Sequence, residues 1–212
     1  GVMTKNEYID SLRRLETTVY MFGEKISNVV DNPRLRAGIE ATGATYELAA
    51  MPEYRDMMIT HSPLIDAPIN RFNLPPASIE DLVYRVKINR ALGNYVGTCH
   101  QRCTGMDCMC ALSIVSYDAD QKYGTNYHDR VVEFIKYMQT NDYTGNASVT
   151  DVKGDRSLSP QDQPDKDVYL RVVEKRSDGI VVRGAKAHQT GSLSSHELIV
   201  LPTRALKKGE EE

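Results

Sequence analysis

The sequence predicts an α+β fold, with a helical domain over residues 1–141 and a partial antiparallel β domain over residues 142–212. Apolar residues recur at helical spacing through the first part, whereas after Asp142 they occur in short β-branched runs between turn residues. No internal repeat or low-complexity tract interrupts either part. A sheet of about four short strands is small for a β domain, so we expect further protein to complete it.

The first helix is predicted to begin at Thr4, because Thr4 and Glu7 have the spacing of a capping box. Helical spacing continues as far as Phe22, which predicts a long helix. A second helix is predicted from Pro33 to Ala50. The apolar positions that indicate these two helices are Tyr8, Ile9, Leu12, Leu15, Val19, Leu35, Ile39, Tyr46 and Leu48.

Residues 60–77 contain four prolines, and this density predicts an extended connection without a regular element. Ser78 is then predicted to cap a helix over Ile79–Leu92. Two more helices are predicted, one over about Cys103–Tyr123 and one that begins at Thr125.

The second part predicts a β-hairpin and a further strand. Val168–Val173 and Ile180–Val182 are the strands of the hairpin, and Asp178 and Gly179 between them are expected to supply the positive φ of a tight primed turn. Leu198–Leu201 is the third predicted strand.

The charge and hydropathy patterns exclude two classes of partner. The 26 basic and 29 acidic residues give a net charge of −3 and form no basic stripe, so nucleic acid is not expected as a partner. No apolar run reaches about 18 residues and the start has no signal-peptide pattern, so we expect no membrane association and a cytoplasmic protein. The charged tail LKKGEEE is expected to lack regular structure.

All four cysteines lie in one short stretch, at Cys99, Cys103, Cys108 and Cys110. In a reducing compartment this clustering indicates metal binding, redox chemistry or simple burial. If the segment is helical, Cys99 and Cys103 share one face, whereas Cys108 and Cys110 point about 200° apart. The spacing therefore permits a zinc or iron-sulfur site but makes a single four-cysteine site awkward.

His100 and Arg102 stand beside the first two cysteines. Cationic neighbours are expected to lower a thiol pKa and to favour the thiolate that a metal needs. His100 could equally donate a hydrogen bond to a ligand instead of binding the metal itself.

Six strings are spread along the chain: VYMFGEKI, INRF, CHQRCTGMD, DQKYGTNYH, TDVKGDRS and DGIVVRGAKAHQTGS. Together they resemble the amino-terminal part of the 4-hydroxybutyryl-CoA dehydratase family, also called vinylacetyl-CoA delta-isomerases. The resemblance runs over Met3–Thr203. The wider superfamily includes 4-hydroxyphenylacetate 3-monooxygenase.

The resemblance implies an acyl-CoA dehydrogenase-like architecture, in which a carboxy-terminal helical bundle absent from this chain follows the helical and β domains. It also implies that Cys99 and Cys103 are two ligands of a 4Fe-4S cluster, and that a histidine and a third cysteine come from a later segment. Cys108 and Cys110 do not match ligand positions of the family and are interpreted as packing residues.

The resemblance further implies that two loops contact FAD. In the first loop Thr150 offers a hydroxyl, Gly154 allows close backbone approach, and Lys153 and Arg156 can meet phosphate charge. The second loop, HQTG, is expected beside the isoalloxazine, whereas Lys186 is interpreted as a solvated charge and left unassigned. The residues assigned to the flavin are Thr150, Asp151, Lys153, Gly154, Asp155, Arg156, His188, Gln189 and Thr190.

The implied activity is the dehydration of 4-hydroxybutyryl-CoA to crotonyl-CoA by a radical mechanism, with vinylacetyl-CoA delta-isomerase activity. The catalytic acid and base are expected outside this chain, so the chain alone is expected to be incomplete. The implied partners are an acyl-CoA substrate, the remaining carboxy-terminal part of the enzyme and further copies in a homotetramer. Two alternatives stay open: a flavin-dependent aromatic hydroxylase of the 4-hydroxyphenylacetate 3-monooxygenase type, and a non-catalytic subunit that keeps the fold.

Overall fold

The computed structural model describes residues 1–202 and 207–208, so the predicted tail LKKGEEE lies outside the described residues except for Lys207 and Lys208. Helices and small two-stranded sheets together confirm the predicted α+β class. The chain divides into two compact units. The first unit is Gly1–Asn146 with Thr190–Leu198, and the second is Ala147–Gln189 with Ile199–Glu212.

Helix α1 (Lys5–Arg13) carries the predicted capping box. The Glu7 N–H donates to Thr4 Oγ1 at 3.2 Å, and the Thr4 N–H donates to the Glu7 carboxylate at 2.7 Å. Both bonds are made between near neighbours, so the four-residue pattern is enough to start the helix.

The predicted extension of this helix to Phe22 is wrong. Strands β1 (Val19–Met21) and β2 (Glu24–Ile26) form an antiparallel hairpin instead. Phe22 and Gly23 at the turn have φ of 52° and 83°, as a primed hairpin turn requires. Gly23 adopts a positive φ at little cost in free energy, whereas a glycine at this position would weaken a helix.

Helix α2 (Arg36–Ala50) confirms the second predicted helix, and the short helix α3 (Pro52–Met58) follows it. The predicted irregular connection is wrong in its first part, where β3 (Ile59–Ser62) and β4 (Ala67–Asn70) form a hairpin. Pro68 lies inside β4. A two-stranded sheet leaves each strand an edge without a partner, and a proline is tolerated at such an edge.

Three helices follow as predicted: α4 (Ile79–Val96), α5 (Cys103–Tyr123) and α6 (His128–Asn141). Ser78 caps α4 as expected. Helix α6 begins at His128 and not at Thr125, because the Asp120 carboxylate on α5 accepts the His128 N–H at 2.8 Å and supplies the cap from outside the segment.

Two apolar clusters form the core of the first unit. One joins α2, α3, α4 and the start of α5, and the other packs α1 against α2. The buried members of the first are Ala44, Leu48, Ala49, Met58, Phe72, Ile88, Leu92 and Met106. Those of the second are Tyr8, Leu12, Val30, Ile39 and Tyr46.

In the second unit, β6 (Arg171–Arg176) and β7 (Gly179–Arg183) form the predicted hairpin. The predicted primed turn is wrong, because Ser177 and Asp178 make the loop without positive φ. The register shifts at Val173, and such a bulge supplies the extra twist that a primed turn would otherwise give.

Strands β5 (Gly145–Ser148) and β8 (Glu197–Val200) pair with each other, and the division between the units falls inside both strands. The β8 strand was predicted from its apolar run, whereas β5 was not, because its sequence GNAS has no apolar alternation. Among the described residues, no helix has the length and apolar character needed to cross a membrane.

Candidate functional site

The cysteine pair is formed by a loop and not by one face of a helix. Cys99 lies in the connection between α4 and α5, and Cys103 is the first residue of α5. Gly97 and Gln101 have φ of 66° and 61°, so the helical geometry considered for this segment is not present. The two side chains nevertheless lie near each other, since Cys99 raises the pKa of the Cys103 thiol.

The expectation that cationic neighbours lower the thiol pKa is wrong. Burial raises the pKa of Cys103, and the adjacent Cys99 raises it further, against the smaller effect of the Cys103 and Thr104 backbone N–H groups. The Arg102 guanidinium pairs with Asp142 in the core. A metal that binds Cys103 must therefore displace its proton.

The ring of His100 is engaged in structural hydrogen bonds. Its Nδ1 accepts the Arg102 N–H at 3.3 Å, so Nε2 carries the proton and donates to Asn89 Oδ1 at 2.7 Å. Burial lowers the pKa of His100 to about 4, with a further contribution from Arg102. Both ring nitrogens are occupied, which leaves His100 without a free nitrogen for a metal.

Cys108 and Cys110 lie apart from this chemistry. Cys108 is buried and burial raises its pKa, while Cys110 packs at the edge of the first core cluster, where Arg85 Nη1 is 3.8 Å from its sulfur. Within residues 1–202 and 207–208, no group of three or more His, Cys, Asp or Glu side chains is arranged to hold a metal ion. The Cys99–Cys103 pair alone offers two sulfur donors, fewer than the four ligands of a closed metal centre.

A second buried histidine could be mistaken for part of a nucleophilic pair. His196 Nε2 is 2.7 Å from Ser11 Oγ, and its Nδ1 accepts the Thr144 N–H at 3.0 Å. Nε2 therefore carries the proton and donates to Ser11, which is the reverse of what a general base needs. The ring stacks on Tyr143 at 4.3 Å between centroids, and burial lowers its pKa to about 4. His196 is a packing residue of the first unit.

The free energy of unfolding is expected to fall as the pH is lowered from about 7 to about 5. The folded pKa of His100 and His196, about 4, lies below the unfolded value of about 6.5, so the unfolded chain takes up protons first. Stability is complete above about pH 6.5 and is lost as the pH falls towards 4. Each histidine accounts for up to about 2 kcal/mol at pH 5.

Urea unfolding at the two pH values measures this effect. The His100→Gln variant should lose about half of the pH dependence, whereas His61→Gln, at an exposed ring, should keep all of it. An unchanged pH dependence in His100→Gln would contradict the assignment.

In the second unit, the two loops assigned to the flavin lie side by side. Asp151 forms an antiparallel bridge with Lys186, and the Ala187 N–H donates to the Thr150 carbonyl at 2.9 Å. This pairing places His188 and Gln189 directly after a residue that is hydrogen-bonded to the first loop.

Lys186 is not the solvated charge that the sequence suggested. Its side chain is 9% exposed, and Nζ donates to Asp151 Oδ1 at 2.6 Å. It also donates to the carbonyls of Leu201 at 2.8 Å and Val149 at 3.1 Å. Three acceptors satisfy the three donors of the ammonium group, so its burial is compensated.

Two further side chains hold the first loop. The buried Gln163 amide accepts the Asp155 N–H at 3.0 Å and donates to the Asp155 carbonyl at 2.7 Å. The Tyr169 hydroxyl donates to the Lys153 carbonyl at 3.0 Å. The loop is therefore fixed by the chain itself before any cofactor binds.

Gly154 was expected to allow close approach of a flavin, and the chain itself supplies another reason for the glycine. Its φ is 58°, and a Cβ there would meet Gln163 Oε1 and Val168 Cγ1, the latter at 3.0 Å. The space beside the glycine is filled by the second unit's own side chains, and the residue is required for this packing.

The other predicted flavin residues are placed less tightly. Arg156, His188 and Thr190 are exposed, and Lys153 and Gln189 are half-buried. His188 has a φ of 59°, which is uncommon for a residue with a side chain. Thr190 belongs to the first unit and the remaining eight to the second. Their assignment to a cofactor stays a prediction.

Sequence reasoning missed the residues that hold both candidate sites in place: Asn89 and Asp142 near the cysteines, and Gln163 and Lys186 at the loops. Each is a polar residue whose partners lie elsewhere in the fold, so no local pattern points to it. One weak signal points to Lys186. It lies among short runs of strand-forming residues, and an ammonium group buried there would need an acidic partner such as Asp151.

Comparison with known proteins identifies the family to which the chain is similar. The family model described as "4-hydroxyphenylacetate 3-hydroxylase N terminal" matches residues 4–212. A 4-hydroxybutyryl-CoA dehydratase/vinylacetyl-CoA-Delta-isomerase from Clostridium aminobutyricum is 53% identical over 211 residues, which is 100% of this chain and 43% of that protein. An oxygenase component of 4-hydroxyphenylacetate 3-monooxygenase from Thermus thermophilus is 26% identical, over 98% of this chain and 42% of that protein.

Solved structures agree with this pattern. An oxygen-tolerant archaeal 4-hydroxybutyryl-CoA dehydratase from N. maritimus superposes with a TM-score of 0.92 at 40% identity, over 98% of this chain and 41% of that chain. An oxygenase component complexed with FAD has a TM-score of 0.78 at 22% identity, over 98% and 43%, a likeness of fold alone. The chain spans less than half the length of the relatives it matches.

Proposed function

Because the chain belongs to the 4-hydroxyphenylacetate 3-hydroxylase N-terminal family, we propose that it is the amino-terminal part of a flavin- and iron-sulfur-dependent 4-hydroxybutyryl-CoA dehydratase with vinylacetyl-CoA delta-isomerase activity. The observation that carries this proposal is the 53% identity to such an enzyme along the whole chain, against 22–26% for related monooxygenases. The proximity of Cys99 to Cys103, seen in its effect on the Cys103 pKa, supports it, because neighbouring thiols can serve as ligands of an iron-sulfur cluster.

The residues present fit half of an iron-sulfur site. Cys99 and Cys103 supply two neighbouring sulfur donors, and the backbone N–H groups of Cys103 and Thr104 at the start of α5 act to lower the pKa of the Cys103 thiol, against the larger effect of burial. A helix N-terminus favours negative charge, so it suits a thiolate bound to a cluster. The two remaining ligands are proposed to come from the part of the enzyme that follows this chain.

The residues present also fit one side of a flavin site. The loop from Thr150 to Arg156 is held by Lys186, Gln163 and Tyr169. Thr150 offers a hydroxyl group, and the cationic Lys153 and Arg156 suit the charge of a phosphate. FAD is therefore the proposed cofactor, and its contacts are proposed at the nine residues assigned above.

The chemistry that the two bound groups would supply is one-electron activation of the acyl-CoA by the flavin and Lewis-acid assistance by iron for the departing hydroxyl. This chain's residues act by placement: the cysteines fix one edge of the metal site, and the second-unit loops fix the flavin. The acid and base are proposed to lie in the rest of the enzyme. We also propose an acyl-CoA dehydrogenase-like architecture for the complete protein and a cytoplasmic homotetramer.

Replacement of either Cys99 or Cys103 by serine is expected to remove most of the iron and sulfide from the anaerobically purified complete enzyme, and with it the conversion of 4-hydroxybutyryl-CoA to crotonyl-CoA. The serine hydroxyl is a poor ligand for a cluster that thiolates hold. Iron, sulfide and flavin contents are measured together with turnover. The Cys108→Ala variant is the matched control and should keep all four.

Two outcomes would overturn the proposal. A wild-type enzyme that holds flavin but neither iron nor sulfide, and that hydroxylates phenols, would indicate the monooxygenase alternative. An assembly without flavin, iron or turnover would indicate a non-catalytic subunit.

A further inference from the structure

We propose that the buried Arg102–Asp142 ion pair is a positioning device that holds the Cys99–Cys103 loop in its ligand-binding conformation before any metal arrives. This inference rests on the proposed function in one respect, that the cysteine pair is a metal-ligand pair. The role of Arg102 itself is argued from its contacts within the first unit.

Arg102 directly precedes Cys103, yet its side chain turns away from the sulfur and into the core. It is 1% exposed, and Nη2 donates to Asp142 Oδ1 at 2.9 Å. Nη1 donates to Thr45 Oγ1 at 3.1 Å, and the guanidinium lies 4.4 Å from the centre of the Tyr46 ring. One side chain thus ties the start of α5 to α2 and to the end of α6.

Asp142 is itself held in place from several directions. Its backbone has a φ of 50° at the end of α6, and its carboxylate accepts the Met3 N–H at 3.0 Å and the Asn73 amide at 3.3 Å. A carboxylate that accepts this many hydrogen bonds has little freedom to move. The position of Arg102 is therefore determined by four segments of the first unit, which contain Met3, Thr45, Asn73 and Asp142.

The other end of the loop is fixed through His100. Its ring accepts the Arg102 N–H and donates to Asn89 on α4. Gln101 between them has a φ of 61°, a conformation that a free peptide rarely adopts. The loop that joins the two cysteines therefore has an anchor on each side of its strained residue.

Packing alone does not account for this arrangement. A buried ion pair is often no more stabilising than apolar residues of the same size, and Arg102 Nε has no hydrogen-bond partner among the described residues. What the pair adds is a fixed direction for the backbone that carries Cys103. A preorganised pair of donors binds a metal without the loss of entropy that ordering the loop would cause.

Phenylarsine oxide tests this geometry without iron, because arsenic(III) binds two neighbouring thiols. Each thiol loses its proton, the oxygen on arsenic leaves as water, and two As–S bonds form with no change in oxidation state. The full chain, purified without metal, is titrated with the reagent, and the product is counted by intact mass. Wild type should bind one equivalent, which Cys99→Ser should abolish and Cys108→Ala should keep.

Arg102→Met is expected to weaken this binding by about tenfold or more, because the loop must then be ordered on binding. Arg71→Met is the matched control: Arg71 is a second buried arginine, 7% exposed, and its partners are the Met57 and Ile59 carbonyls and Asp81, none of which belongs to the cysteine loop. It should lose stability in urea but bind the arsenical as wild type does. If Arg102→Met does not fold, the near-isosteric Asp142→Asn replaces it, with the same expected direction.

Wild-type affinity in the folded Arg102→Met or Asp142→Asn variant, or no one-to-one complex with wild type, would overturn the inference. Failure of the proposed function looks different. In that case the arsenical result holds, while the complete enzyme takes up no iron or sulfide.

Discussion

Replacing Gly105 with alanine is expected to lower the free energy of unfolding by about 3 kcal/mol or more and to displace the first turn of α5. A Cβ at Gly105 would lie under 3.0 Å from the carbonyl oxygen, carbonyl carbon and Cα of Gly145. All three are backbone atoms, so no side-chain rotation can relieve the clash. Because Cys103 lies in the same helical turn, the cysteine pair should be disturbed as well.

Urea unfolding of the variant measures the loss, and the arsenical titration reports the displacement of Cys103. Gly93→Ala is the matched control, since Gly93 lies within α4 and a Cβ there meets no atom within 4 Å. That variant should gain up to about 1 kcal/mol from helix propensity. Equal stability of the two variants would show that α5 does not approach Gly145 as closely as described.

Replacing Lys186 with methionine is expected to cost about 3–5 kcal/mol, because it removes a cation that pairs with the buried Asp151 carboxylate. It also removes the donor to the Val149 and Leu201 carbonyls, which lie near the ends of β5 and β8. The Thr150–Arg156 loop should therefore loosen, and the complete enzyme should bind FAD more weakly.

Urea unfolding and FAD titration measure the two effects. Lys166→Met is the control from the same unit, since Lys166 is exposed, and its stability should change by no more than about 0.5 kcal/mol. A Lys186→Met protein with wild-type stability and FAD affinity would mean that the Asp151 carboxylate is compensated without the ammonium group.

The candidate sites were only partly predictable. The cysteine pair was found from the sequence, but for a geometric reason that does not apply, because Cys99 lies in a loop and not on the face of α5. The electrostatic expectation failed for a related reason. Charged neighbours along the chain affect a thiol only if their side chains face it, and the Arg102 side chain faces Asp142, which is 40 positions later.

What the sequence by itself determined are features set within a few residues: the capping boxes at Thr4 and Ser78, the helical spacing of α2, α4 and α5, the β6–β7 hairpin and the clustering of the cysteines. The family resemblance likewise follows from the residue strings alone. Only the tertiary structure decided where the charges go. Arg102 and Lys186 are buried because carboxylates remote in the chain meet them there, and such pairing has no signature at short range.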